Sequence, residues 1–344
     1  MAPPPSRTHP HVTMHDVAQK AGVSAQTVSN VINGRSERVS PETIDRVTKV
    51  IDELGYRLNQ SARSLRRGRT GIVGLAVPLL TSEYYGELAE RLTRRFSAQG
   101  IRLATEDTGG AMTAEVESLA GSHLETYDGF ILAVAASESA DLDRILPTKP
   151  IVLLGERALS TRFDHVLMDN VGGAEMATGY LLDRGARSVV AIGGATTGSE
   201  SVKTLRTKGY VEAHRARGLD VRSELVVDAR LDMAGGYQET MALIDSRVPF
   251  DGLFALTDSI AHGALRALAD HGVRVPHDVQ IVGFDNVASS AYSTPRLTTI
   301  EPGNDEMADE IVGIMLARLR SSAPRGEPER RMLPTSLVVR ESTR

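Results

Sequence analysis

The 344-residue chain has no cysteine, which excludes a disulfide framework and any chemistry that needs a thiolate, and suits a cytoplasmic location. Long apolar runs are missing too. No segment has the length of a bilayer span, and no early segment has the apolar core of a signal peptide, so no membrane partner is expected. Residues 1 to 11, MAPPPSRTHPH, read as a disordered leader. Positive charge is scarce overall, with a net charge of -5, yet it is unevenly placed. Residues 1 to 70 hold 11 Lys+Arg against 6 Asp+Glu, a net of +5, which leaves -10 for the remainder. A basic head on an acidic body is the electrostatic footprint of a nucleic-acid-binding module attached to something else.

The head begins VTMHDVAQKAGVSAQTVSNVING. Val17 and Ala18 face inward on a first short helix, and Gly22 stands where the chain reverses and φ turns positive. Ser24 caps a second helix from Ala25, whose apolar stripe is Val28, Val31 and Ile32. Its other face carries Gln26, Thr27, Ser29 and Asn30, with Asn33 at its end, short polar groups able to reach base edges in a major groove. Ser40 and Pro41 then open a third helix, with Ile44, Val47, Ile51 and Leu54 on one face and Gly55 as its stop. Beyond Tyr56, LNQSARSLRRGRTG sets Arg63, Arg66, Arg67 and Arg69 around one apolar residue, Leu65.

From Val12 to Gly71 this run resembles the head and hinge of the LacI/GalR family of bacterial repressors. The resemblance implies DNA contacts from Thr13, Ser24, Ala25, Gln26, Thr27, Ser29, Asn30 and Asn33. It also implies a hinge helix, carrying Asn59, Ala62 and Leu65, that enters the minor groove when two copies meet on a near-palindromic operator, with Leu65 wedged between base pairs. The chain departs from the family pattern in two places. One extra residue separates Asn33 from Val39, and Leu58 stands where a proline often precedes the hinge.

After Gly71, apolar runs of strand length alternate with helical stretches, the pattern of parallel sheets built from βαβ units. GIVGLAVP, IRLATED, DGFILAVAA and PIVLLGE read as strands of a first half; SVVAIGG, GLFALTD and VQIVGFDN repeat the pattern in a second. The fold class expected is a small all-α helix-turn-helix domain followed by an α/β domain of two doubly wound parallel-sheet lobes. The resemblance extends to about Glu341 and implies a periplasmic-binding-protein-like sensor. The expected boundaries are residues 12–58 for the head, 59–70 for hinge and linker, and 71–344 for effector binding and dimerisation. Within the last, lobe 1 is expected over 71–163 and 297–327, lobe 2 over 164–296 and 328–342. LTTIEP and a helix around Met307 to Leu319 should return to the first lobe.

Open sheets of this kind bind ligands beyond the carboxyl ends of their strands. Arg206, in SVKTLRTKGY, and Asp285, at the end of IVGFDN, match the family's effector-contacting arginine and aspartate. A fork of donors and a two-lobed acceptor suit a polyol, so the effector expected is a carbohydrate. Both are expected to be replaceable without loss of the fold. Tyr84 and Tyr85 match an aromatic pair that lines the cleft, where a ring face can lie on a sugar. Thr257 and Asp258 fall where relatives show Asn-Asp, and Leu231 falls where several have a stacking aromatic.

Enzyme readings find little support, and no cofactor is expected. GGATTGSES lacks both the dinucleotide glycine spacing and the Lys-Ser/Thr ending of a P-loop. His9, His11 and His15 have no carboxylate at ligand spacing for a metal. The chain reads as a homodimeric transcription regulator that represses genes of carbohydrate uptake or breakdown. A solute-binding protein is the competing reading, disfavoured by the basic head.

Overall fold

The computed structural model describes residues 12–32, 39–56, 69–155, 159, 162–321 and 326–344, in two units that meet between Thr70 and Gly71. Asn33, Asn59, Ala62, Leu65, His9 and His11 lie outside the described residues.

The first unit contains three helices, α1 (Met14–Ala21), α2 (Ala25–Ile32) and α3 (Pro41–Leu54). Thr13 and Asp16 form a capping box on α1, and Gly22 ends it with φ 64°. Ser24 Oγ accepts the Thr27 amide at 3.1 Å and so opens α2 one short turn later. Val17, Ala18, Ala21, Val28, Val47 and Val50 are the buried centre, with Val31, Ile32, Ile51 and Leu54 packed around it. Val50 replaces Ile44 among the innermost positions of α3, because the face that meets α1 is turned one residue from the expected one.

The second unit holds two six-stranded sheets. Sheet one contains β1 (Ile72–Val77), β2 (Arg102–Asp107), β3 (Gly129–Val134), β4 (Ile151–Gly155), β5 (Asp164–Met168) and β11 (Arg330–Leu333), in the order β2-β1-β3-β4-β5-β11 and parallel throughout. Sheet two contains β6 (Val189–Ile192), β7 (Val226–Val227), β8 (Gly252–Ala255), β9 (Gln280–Phe284), β10 (Thr298–Glu301) and β12 (Ser336–Val338), in the order β7-β6-β8-β9-β10-β12. Only its last pair, β10 with β12, is antiparallel. Central strands such as β3, β4, β8 and β9 are buried along their whole length, as strands covered by helices on both faces must be.

The helices of this unit are α4 (Glu83–Ser97), α5 (Met112–Ser118), α6 (Gly121–Leu124), α7 (Ser139–Leu142), α8 (Asn170–Asp183), α9 (Val202–Arg215), α10 (Met233–Ser246), α11 (Asp258–Asp270) and α12 (Asn304–Arg320). Strand pairing corrects the expected lobe boundaries. β5 pairs with β4, so residues 164–168 belong to the first lobe, and β11 joins it there. β10 pairs with β9, so LTTIE is a strand of the second lobe, although α12 does return to the first and packs on α4, β4 and β5. The chain therefore crosses between lobes three times, at Asp169, at Pro302–Gly303 and at Pro334–Thr335.

Helices α8 and α9 approach closely at Gly209, where a Cβ would stand 2.2 Å from the Val171 carbonyl oxygen. Gly209→Ala must push α9 off α8, and overpacking of this kind costs about 1–3 kcal/mol. A lowered melting temperature in that variant, with the first unit unchanged by its own proteolytic resistance, checks the point.

Candidate functional site

Arg206 sits on the first turns of α9 with its side chain 3% exposed, facing Asp285 at 10%. Its Nε donates to Asn170 Oδ1 at 2.8 Å, and Nη1 donates to the Leu256 carbonyl. Both terminal nitrogens reach Asp285 Oδ1 at 3.4 Å, and Nη2 also points at Met168 Sδ. The guanidinium lies over the Phe284 ring, 3.5 Å from its centroid, a short cation–π contact. Met168 and Asn170 flank the crossing at Asp169, so this one arginine binds the carboxyl end of a first-lobe strand to the start of a second-lobe helix.

Asp285 follows β9 with φ 119°, and Asn286 after it has φ 51°. Non-glycine residues in this region are strained by about 1–3 kcal/mol each and persist where their surroundings fix them. The Asp285 amide donates to the Ile300 carbonyl at 2.9 Å, and its carbonyl accepts from Asn304 Nδ2 at 2.9 Å, at the beginning of α12. Glu301 completes the junction, accepting from Asn286 Nδ2 and from the Gly303 and Asn304 amides. A strained carboxylate thus lies at the strand end and beside two of the three crossings.

The sequence-predicted neighbours divide into two groups. Tyr84 and Tyr85, on α4, meet edge to face with ring centroids 5.0 Å apart, and the Tyr84 hydroxyl donates to Met307 Sδ on α12 at 3.5 Å. Leu231 is half-buried and lies against Gly193. Thr257 and Asp258 are engaged by the protein itself. The Thr257 hydroxyl caps α11 by accepting the Ile260 amide at 3.2 Å. Asp258 is fully buried and accepts from Thr299 Oγ1 at 2.5 Å, Ser290 Oγ at 2.7 Å and the Val287 amide at 3.1 Å. It anchors the segment after Asp285 from beneath instead of lining a cleft.

Burial, and then the negative field of Asp285, push the Asp258 carboxyl up to about 8. Its folded value lies above the unfolded one, so its contribution to stability is complete below about pH 4 and is lost as pH rises through about 8. The melting temperature of the native chain should therefore fall between about pH 4 and 8, and Asp258→Asn should flatten that slope. A calorimetric pH series checks this; an unchanged slope would assign the loss to other groups.

Sequence reasoning missed Asn170, whose buried Nδ2 has no partner among the described residues although its Oδ1 holds Arg206. The DN that follows HVLM, at a strand end, was the available signal. It also missed Glu115, a fully buried carboxylate that accepts the Ala135, Ala136 and Ser137 amides at 2.8–3.0 Å and shapes the loop after β3.

On the head, Gln26 Nε2 donates to Asn30 Oδ1 at 3.1 Å, so the two amides of α2 orient one another. The Thr13 hydroxyl is committed to Asp16 at 2.7 Å, and the Ser24 and Thr27 hydroxyls to one another at 2.9 Å. No helix among the described residues is long and apolar enough to cross a membrane. Among the same residues, no group of three or more His, Asp or Glu is placed to hold a metal ion.

A helix-turn-helix unit joined to two doubly wound lobes, with a buried Arg–Asp pair where the chain passes between them, defines a class of proteins that couple a DNA reader to a small-molecule sensor. Residues 13–59 match the family model of bacterial regulatory proteins, lacI family, and residues 178–343 match that of a periplasmic binding protein-like domain. The HTH-type transcriptional regulator DegA of Bacillus subtilis (strain 168) is 31% identical, over 96% of this chain and 98% of that one. The ribose operon repressor of Escherichia coli (strain K12) is 28% identical, over 96% of this chain and 99% of its own. A solved complex of the transcriptional regulator CelR with cellobiose superposes with a TM-score of 0.68 at 31% identity, covering 96% of this chain and 99% of that one. The chain belongs to the lacI family of bacterial transcriptional regulators.

Proposed function

We propose that this regulator is a cytoplasmic homodimer that represses genes of carbohydrate uptake or breakdown and is controlled by a sugar or sugar derivative bound between its lobes. The observation that carries the effector reading is the Arg206–Asp285 pair, buried between a helix and a strand end beside the lobe crossings. Arg206 holds Asp285 and Met168 only through contacts of 3.4 Å, at the weak end of hydrogen bonding. Those are the contacts a ligand hydroxyl replaces. The unpartnered Asn170 amide nitrogen supplies a further donor beside them. Tyr84 and Tyr85 supply ring faces, while Leu231 and Thr257 supply walls poorer in donors than an aromatic and an asparagine would. A relative that binds cellobiose supports the ligand class.

On the DNA side, Gln26, Thr27, Ser29, Asn30 and Asn33 read bases, Ser24 and Ala25 at the start of α2 meet phosphate, and Asn59, Ala62 and Leu65 act in the minor groove. Effector binding biases the lobes of each protomer and so the pairing of the two hinges over the operator. A thermal-shift screen of mono- and disaccharides and their phosphates tests the effector reading. A true ligand at a hundred times its Kd should add about 2.7 kcal/mol. Failure of every sugar to raise the melting temperature would overturn it.

A further inference from the structure

Two residues shortly after Asn286, Ala288 and Ser289, are gripped from the opposite lobe. Glu83, the first residue of α4, accepts the Ser289 amide through Oε1 at 3.0 Å and the Ser289 hydroxyl through Oε2 at 2.6 Å. One turn later, Glu87 Oε1 accepts the Ala288 amide at 2.6 Å, while its Oε2 is held by Arg91 at 3.0 Å. These donors open a short 3-10 turn, Ala288–Ala291, that belongs to the second lobe. On its inner side the same turn is tied to Asp258 by the Val287 amide and the Ser290 hydroxyl.

The segment from Asp285 to Ala291 therefore has a fixed inner anchor in its own lobe and an outer anchor in the other. The outer one exists only while the lobes are together. When they part, the two amides turn to water and lose charge-assisted acceptors, which are among the stronger hydrogen bonds. Tyr84 and Tyr85 follow Glu83 directly on α4, so the grip fastens the helix that carries those rings to the segment that follows Asp285.

We propose that Glu83 and Glu87 are positioning residues: they hold the two lobes in register by capping the Ala288–Ala291 turn and so tie the segment that follows Asp285 to the helix that carries the tyrosines. The inference rests on the reading of Asp285 as an effector contact for its purpose, but not for its existence.

Amide hydrogen exchange on the ligand-free full-length protein tests it. In the native chain Ala288 and Ser289 should exchange at least tenfold more slowly than in Glu83→Ala/Glu87→Ala. Amides of β8 and the melting temperature should stay close to native, which separates loss of the grip from loss of the fold. Glu83→Gln and Glu87→Gln, which keep an acceptor oxygen, should recover part of the protection. Equal exchange in the native and double-alanine proteins would overturn the proposal, as would loss of protection spread evenly over the second lobe. Adding cellobiose as a probe distinguishes the two readings: protection that is present without the sugar and unchanged by it leaves the grip standing and removes cellobiose as its ligand.

Discussion

Arg206→Ala is expected to lower the melting temperature of the protein by on the order of 10 °C and to abolish its response to any sugar. The reason is burial. From the sequence this pair reads as a cleft-lining one that can be removed at no cost to the fold, yet its side chains are 3% and 10% exposed. Removing the guanidinium leaves the buried Asp285 carboxylate without its ion-pair partner. It also strips donors from Asn170 Oδ1 and the Leu256 carbonyl and uncovers the Phe284 ring. Breaking a buried pair from one side typically costs about 3–5 kcal/mol. Arg206→Lys keeps the charge but not the fork, so it should recover part of the stability and none of the response. Differential scanning calorimetry and sugar titration read the two effects separately. An alanine variant that melts as the native protein does would mean the pair is not the structural centre described.

Gln26→Ala/Asn30→Ala should weaken specific operator binding by on the order of a hundredfold while leaving binding to random duplex within about threefold. One N–H of the Gln26 amide goes to the Asn30 oxygen, which orients Gln26 Oε1 and Asn30 Nδ2 as an acceptor and a donor side by side, the complement of the adenine major-groove edge. Neither side chain supports the core, which rests on Val28 on the opposite face of α2. The head should therefore stay folded, and its phosphate contacts with it. Fluorescence anisotropy against operator and scrambled duplexes makes the comparison. An equal loss on both would show that α2 contributes charge and shape only.

The sequence made the elements legible and their partnerships much less so. Capping residues Ser24 and Ser40 and the stop glycines 22 and 55 made the head's helices legible, because those signals act over four residues. Strands such as GIVGLAV and GLFALTD were legible for the same local reason. Which sheet a strand joins is decided by pairing across a hundred residues or more, as β11 with β5 shows. An apolar run looks alike in either lobe, so β5 and β10 were read into the wrong ones.

The site shows the same limit. Asp285 was legible from its place at a strand end, and Arg206, on a helix, from its match to the family's arginine. Their burial and the Asn170 partner were not, since 36 residues separate Asn170 from Arg206. Asp258 shows why the sequence falls short, because a carboxylate at a strand end has the same spelling whether it faces a cleft or a core. Only the three donors around it decide.

The most direct measurement is the affinity of the full-length protein for its operator, first with the cleft empty and then saturated with the sugar that most raises the melting temperature. Coupling between the lobes and the head predicts a change of about 5- to 150-fold. Identical affinities in the two conditions would contradict it.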